Sequence, residues 1–217
     1  MAEKVVEKKP DVAIVTIAGK KKRFEIVSRD NGNFSKGLLY VDVLIIDTTG
    51  KVVETQLLRF DVWDTSKFEE IEKIPNGSMI RVSSKPSNYN YKVDGENKYS
   101  YDLTLVDIRP YSGKCFAEFA FRGRMVSDCE LGTAPGIPYL VFKIASNTGK
   151  KPVFIHLRHY GYSINANSIG YKGNSISAEG YIKRRIEDGT YQFFATSIWS
   201  NNPNDTYEPE LEIETEN

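Results

Sequence analysis

Two halves of this chain answer one another. Tyr40 precedes Gly50 by ten residues and Tyr139 precedes Gly149 by ten, an offset of 99 residues in both cases. Further on, Asn76-Gly77-Ser78 answers Lys172-Gly173-Asn174. A repeat of about one domain's length constrains the fold more than any other feature of the 217 residues. Each copy must close its own small core. Two copies of one small unit explain the pattern better than one large unit does. The boundary falls near Arg109-Pro110-Tyr111-Ser112-Gly113, which has the Pro, Ser and Gly of a linker.

The first half reads as a succession of strands around one helix. Val12 to Ile17 is apolar, and Phe24 to Val27 returns to strand. Between them Gly19-Lys20-Lys21-Lys22-Arg23 reads as a hairpin tip whose cations are free to meet phosphates. Leu38 to Asp47, Val52 to Trp63, Ser78 to Ser83 and Tyr99 to Ile108 carry β-branched and aromatic residues, which suit a pleated, half-buried surface. Arg29 to Gly37 is a polar loop, and Asp94-Gly95 marks a turn. Ser66 to Ile74 is the one convincing helix. Ser66 fits an N-cap with Glu69 three residues later, as in a capping box, and Phe68, Ile71 and Ile74 give one apolar stripe. Three strands, a helix and two strands is the order of a small closed barrel.

In the second half the runs Ile137 to Ala145 and Pro152 to Tyr160 flank the turn at Ser146 to Lys151, and Tyr191 to Trp199 is the last strand. Gly123 and Gly180 lie inside strand-like segments, where a glycine marks a bulge or a barrel corner. Gly161 to Tyr171, in the place of the first-half helix, is a poor helix former and reads as an irregular loop.

The half opens Gly123-Arg124-Met125-Val126-Ser127-Asp128-Cys129-Glu130-Leu131 and closes with Lys172-Gly173-Asn174 followed by Glu179-Gly180-Tyr181. This resembles the bacterial single-stranded DNA-binding protein family, whose first strand runs Gly-Arg-Leu-x-x-Asp-Pro-Glu-Leu and whose later motif is Lys-Gly-Ser, then Glu-Gly and an apolar residue. Met125 replaces the Leu, Cys129 the Pro and Asn174 the Ser. The resemblance implies an all-β chain of two tandem five-stranded Greek-key barrels of the oligonucleotide-binding (OB) type, with one short helix in the first. The layout expected is a flexible start at 1–11, OB units at 12–110 and 111–200, and an acidic disordered tail at 201–217. The function implied is sequence-nonspecific binding and protection of single-stranded DNA in replication, repair or recombination. Family members bring four barrels together, so a homodimer is implied, with replication and repair proteins as further partners.

Charge agrees with this reading. Residues 111–200 carry 11 Lys and Arg against 6 Asp and Glu, whereas 201–217 carry no cation and 6 Asp and Glu. A basic body with an acidic tail suits a nucleic-acid binder. Single-strand binding needs cations that track phosphates and exposed rings that stack bases. Aromatics in polar settings are Tyr89, Tyr91, Tyr160, Tyr162 and Tyr171. Where the family keeps its stacking residues, the resemblance places Trp63 at the end of the third strand and Tyr91 in the last hairpin, with Phe154 and Tyr160 in the second half. Leu57 is a loss, and so is the hairpin position near Ile186 and Glu187. The candidate phosphate contacts are Lys21, Lys22, Arg23, Arg59, Arg122, Arg124, Lys143, Arg158, Lys183, Arg184 and Arg185.

Other chemistries find little support. His156 and His159 lie three apart on a strand and face opposite ways, so they make no metal pair. Cys115 and Cys129 form no Cys-x-x-Cys, and no Gly-rich phosphate loop precedes a helix. No enzyme, cofactor or metal is expected. Met1 to Pro10 is charged without an apolar core, so a cytoplasmic, nucleoid-associated protein is expected. The rival reading is an OB-fold protein-interaction module of a replication or recombination complex with weak nucleic-acid binding. RNA binding by the same fold is a further one.

Overall fold

The computed structural model describes residues 10–28, 35–46, 52–93, 96–134, 137–148, 151–160, 172–185 and 188–200. Eleven strands form one continuous sheet that closes twice. The first barrel holds β1 (Val12–Ser28), β2 (Ser35–Ile46), β3 (Val52–Val62), β4 (Met79–Val93) and β5 (Glu96–Pro110). It closes because β1 pairs with both β2 and β4 and because β3 meets β5. The second holds β6 (Phe116–Met125), β7 (Glu130–Ala134), β8 (Ile137–Ser146), β9 (Val153–Tyr160), β10 (Ser175–Arg184) and β11 (Tyr191–Ser200). Here β6 pairs with both β8 and β10, and β9 meets β11. The fold is all-β and of the OB type. The six segments of the second barrel fill five strand positions, because its first strand breaks into β6 and β7 at 126–129.

The barrels join through β1 and β6. Val12 to Ala18 pairs antiparallel with Phe116 to Arg122, with Val15 opposite Phe119. These two residues are equivalent. Val15 pairs with Ser84 on β4 and Phe119 with Gly180 on β10, and each partner sits at the bulge between the fourth and fifth strands of its barrel. A pseudo-twofold axis therefore runs through the Val15–Phe119 pair. The same symmetry reappears at the turn before the fourth strand. Gly77 N–H donates to Lys21 O and Lys21 N–H to Ser78 O, while Gly173 N–H donates to Met125 O and Met125 N–H to Asn174 O. Both glycines have positive φ, 88° and 95°, which favours glycine in each copy. The Gly77 and Gly173 motifs thus correspond in space. The Tyr40 and Tyr139 motifs do not. The strand registers align Tyr139 with Lys36, so that match in the sequence was fortuitous.

Each barrel is filled by inward-alternating residues: Leu39, Val41, Leu58, Phe60 and Ile80 in the first, and Leu140, Phe142, Ile155, Leu157 and Phe193 in the second. Two expectations are corrected. The Gly19–Arg23 run is no hairpin tip: β1 passes through it as a single 17-residue strand with a bulge between Lys21 and Arg23. Nor does Ser66 cap the helix. Asp64 accepts from Ser66 N–H and its hydroxyl, a 3-10 turn spans Thr65–Lys67, and the α-helix α1 is only Phe68–Lys73. The segment 161–171, the turn Asp94-Gly95, the tail and the first nine residues lie outside the described residues.

Candidate nucleic-acid interface

On the outer face of the second barrel four aromatic rings form one track. Tyr139 on β8 lies beside Tyr160 on β9, ring centroids 5.1 Å apart. Tyr160 lies 5.9 Å from Phe194 on β11, and Phe194 stacks on Tyr181 of β10 at 5.1 Å with only 13° between planes. The registers dictate this, since Tyr139 pairs with Tyr160 and Tyr181 with Phe194, while the inward neighbours Leu140, Phe193 and Ile182 go to the core. Tyr160 and Tyr181 are 36 % and 39 % exposed. That is unusual for rings that a core would otherwise bury, and it leaves π-faces open to solvent. Cations flank the track: the Arg158 guanidinium lies 6.0 Å from the Tyr139 ring centre, and the Lys183 ammonium 6.0 Å from that of Tyr181.

The residues singled out from the sequence fall into three groups. Tyr160 is on the track, with Arg158 and Lys183 at its margins. Phe154 stands at the other end of β9 under the Lys143 ammonium, 5.2 Å from its ring centre. Trp63, 48 % exposed, follows β3 in the first barrel with the Lys36 ammonium 5.1 Å over its ring. Arg124 is exposed on β6, while Arg122 donates to Ser177 Oγ and to Pro10 O. Arg185 pairs with Asp188. Lys22 pairs with Asp42 at 3.2 Å, and Arg23 pairs with Glu25 and lies over Tyr40. Tyr89 and Tyr91 lie on β4, but their side chains are outside the described residues, as are Tyr162 and Tyr171 altogether.

Three cations are spent inside the fold, and the sequence reading of them is corrected. Lys21 is buried, and its ammonium donates to Ile71 O at 2.7 Å and Ile74 O at 2.5 Å, tying β1 to the C-terminal end of α1. Burial pushes its pKa below the usual lysine value. It has no face left for a phosphate. Arg184 donates to Leu57 O and Gly189 O at the junction of the barrels. Arg59 is held by Asp102 at 2.7 Å and lies 3.8 Å from Asp61, whose other oxygen takes Lys36 at 2.8 Å.

That junction is reciprocal. Arg59 on β3 donates its N–H to the Tyr191 hydroxyl, which donates back to Arg59 O, both at 2.9 Å. His156 on β9 donates its N–H to the Tyr101 hydroxyl at 2.9 Å, and that hydroxyl lies 3.1 Å from the His156 ring Nδ1. Burial pushes both tyrosines up to about 12, so each hydroxyl keeps its proton at neutral pH. Burial, and then the nearby Lys143, lower the pKa of His156.

Neither a protein-family model nor a curated protein sequence matches the chain. Solved structures do. The wild-type single-stranded DNA binding protein from Thermus aquaticus superposes with a TM-score of 0.73 at 15 % identity, covering 92 % of this chain and 98 % of that one. A deletion mutant of the same protein gives 0.71 at 16 %, covering 93 % and 98 %. The chain shares its two-barrel fold with a single-stranded DNA-binding protein. The likeness spans nearly the whole of both chains.

Proposed function

We propose that the chain binds single-stranded nucleic acid without sequence preference and without catalysis, single-stranded DNA being the substrate in replication, repair or recombination. The observation that carries this reading is the four-ring track Tyr139–Tyr160–Phe194–Tyr181 with Arg158 and Lys183 beside it. Stacking of bases on such rings is worth about 1–3 kcal/mol each and tolerates any sequence, because every base has a π-face. The DNA binding named for the Thermus protein of the same fold supports it. The binding residues are Tyr139, Tyr160, Phe194 and Tyr181 for bases in the second barrel and Trp63 in the first, with Arg158, Lys183, Arg124 and Lys143 for phosphates. Residues 12–110 and 111–200 act as the two binding units.

The chain works as a homodimer of four barrels. Supporting this, the outer face of the central sheet around the pseudo-twofold is an open groove of about 560 Å³ lined by Ile14, Phe116 and Ala120 among others. It carries Arg81 together with Glu118 and Glu179, so it is self-complementary in charge.

The interaction-module reading keeps one observation in its favour. Four of the first barrel's described cations pair with carboxylates within the fold, Lys22 with Asp42, Arg23 with Glu25, Lys36 with Asp61 and Arg59 with Asp102. Titration of intrinsic fluorescence with an oligo-dT of about 35 nucleotides, at low and high salt and beside matched duplex and RNA, decides between them. Tight quenching by the single strand that weakens as salt rises supports the proposal. Absence of binding at low salt overturns it.

A further inference from the structure

The reciprocal contact at the junction has a geometry that a merely adhesive interface does not need. In each barrel the third strand meets the fifth only briefly: β3 and β5 share the single pair Asp61–Thr104, and β9 and β11 share two pairs. Just before that point, β3 and β9 each turn a stretch of edge towards the other barrel. Free backbone groups on a strand edge need partners. Here they come from the opposite barrel. Tyr191, at the start of β11, satisfies both N–H and C=O of Arg59, and the equivalent Tyr101 on β5 takes the N–H of His156. One step earlier the pattern repeats, with Arg184 donating to Leu57 O and Asn88 Oδ1 accepting from Phe154 N–H. The barrels thus grip one another's third strands at two successive outward-facing positions.

The same strands carry the rings. Side chains alternate along a strand, so residues four apart share a face, about 13 Å from one another. Four residues beyond His156 is Tyr160, and four beyond Arg59 is Trp63. Each grip therefore holds the near end of a stiff strand whose far end presents a ring to solvent.

We propose that Tyr101 and Tyr191 are positioning residues for nucleic-acid binding. Each fixes the third strand of the opposite barrel, so that Trp63 and the track containing Tyr160 hold one mutual orientation and a single strand bound to one barrel is delivered to the other. This rests on the single-strand binding proposed above. The benefit is one of effective concentration: with rigid geometry the second binding step is intramolecular, and it weakens when the two sites can swing. Neither tyrosine touches the strand.

The test uses the full chain and the variants Tyr101→Phe, Tyr191→Phe and the double variant, which keep the ring in the core and remove only the hydroxyl. Two probes are titrated: an oligo-dT of about 8 nucleotides, within the site of one barrel, and one of about 35, long enough for both. The double variant is expected to bind the short probe within twofold of the parent and the long probe about tenfold or more weakly. Tyr191→Phe has the larger share, since it frees two backbone groups where Tyr101→Phe frees one. In parallel, hydrogen exchange at the Arg59 and His156 amides is expected to accelerate without any nucleic acid present. Equal losses for both probes overturn the proposal, because they mark damage within a barrel; so does an unchanged long-probe affinity. Failure of the parent chain to bind either probe overturns the nucleic-acid reading itself, and the proposal falls with it.

Discussion

The two barrels share a backbone and differ at almost every position that faces solvent. Aligned by register, the track positions Tyr139, Tyr160, Phe194 and Tyr181 of the second barrel correspond to Lys36, Trp63, Thr104 and Lys85 of the first. One barrel offers four rings. The other offers a single ring between lysines, one of them already held by Asp61. Conversely, the first barrel has a helix pinned from within by Lys21, where the second has Met125. The fold tolerates either set because inward residues alone close each barrel. Outward residues are free to be specialised, and under the proposed function the second barrel stacks bases on four rings where the first offers Trp63 alone.

The largest expected effect breaks this division at its strongest point. Tyr160→Ala with Tyr181→Ala is expected to weaken oligo-dT binding by about 1–3 kcal/mol for each base that loses its ring, whereas Trp63→Ala costs at most one such increment. Fluorescence or anisotropy titration measures both, and equal losses would mean the barrels share the work. Next comes Lys21→Met, which gives the first barrel the second barrel's residue. It leaves Ile74 O without this donor and Ile71 O with only the Ile74 N–H, at about 1–3 kcal/mol in urea unfolding, with short-oligonucleotide affinity little changed. A smaller effect sharpens the comparison. Lys85→Tyr places a ring at the Tyr181 position of the first barrel, and the slope of log affinity against log salt is expected to flatten by at most about 0.7, the share of one phosphate contact. The smallest is in pH. His156 has a folded pKa below its unfolded value of 6.5, so the unfolded chain binds more protons as the pH falls from about 6.5 towards that lower pKa. Stability should fall across that window, and His156→Asn should remove that part of the decline in thermal unfolding.

The barrel order was legible because it rests on strand periodicity, one helix and glycines at fixed places. Gly123 and Gly180 mark such places. A Cβ on Gly180 would come within 2.0 Å of Phe194 O at the bulge, and one on Gly123 within 2.3 Å of Ala145 O where β6 bends onto β8. What misled was local composition. Four successive cations after Gly19 look like a solvated turn, yet alternation along β1 sends Lys21 inward to carbonyls 50 and 53 residues away, and no local pattern announces that partner. Tyr139, Phe194 and Tyr181 sit inside apolar runs that resemble core. Their signal was phase: Phe194 directly follows the buried Phe193, and Tyr181 directly precedes the buried Ile182. Adjacent aromatics on one strand cannot both face inward. The tyrosines of the junction left no such mark, since their partners belong to the other barrel.

The β1–β6 join has a consequence for dilution. Two separate barrels that met through these strands would come apart as their concentration fell, and each would be as ready to pair with its own kind as with the other. Within one polypeptide the pairing of Val12 to Ala18 with Phe116 to Arg122 is unimolecular. The ratio of ring-bearing to helix-bearing barrels is then fixed at one to one, and unequal halves stay together however scarce the protein becomes.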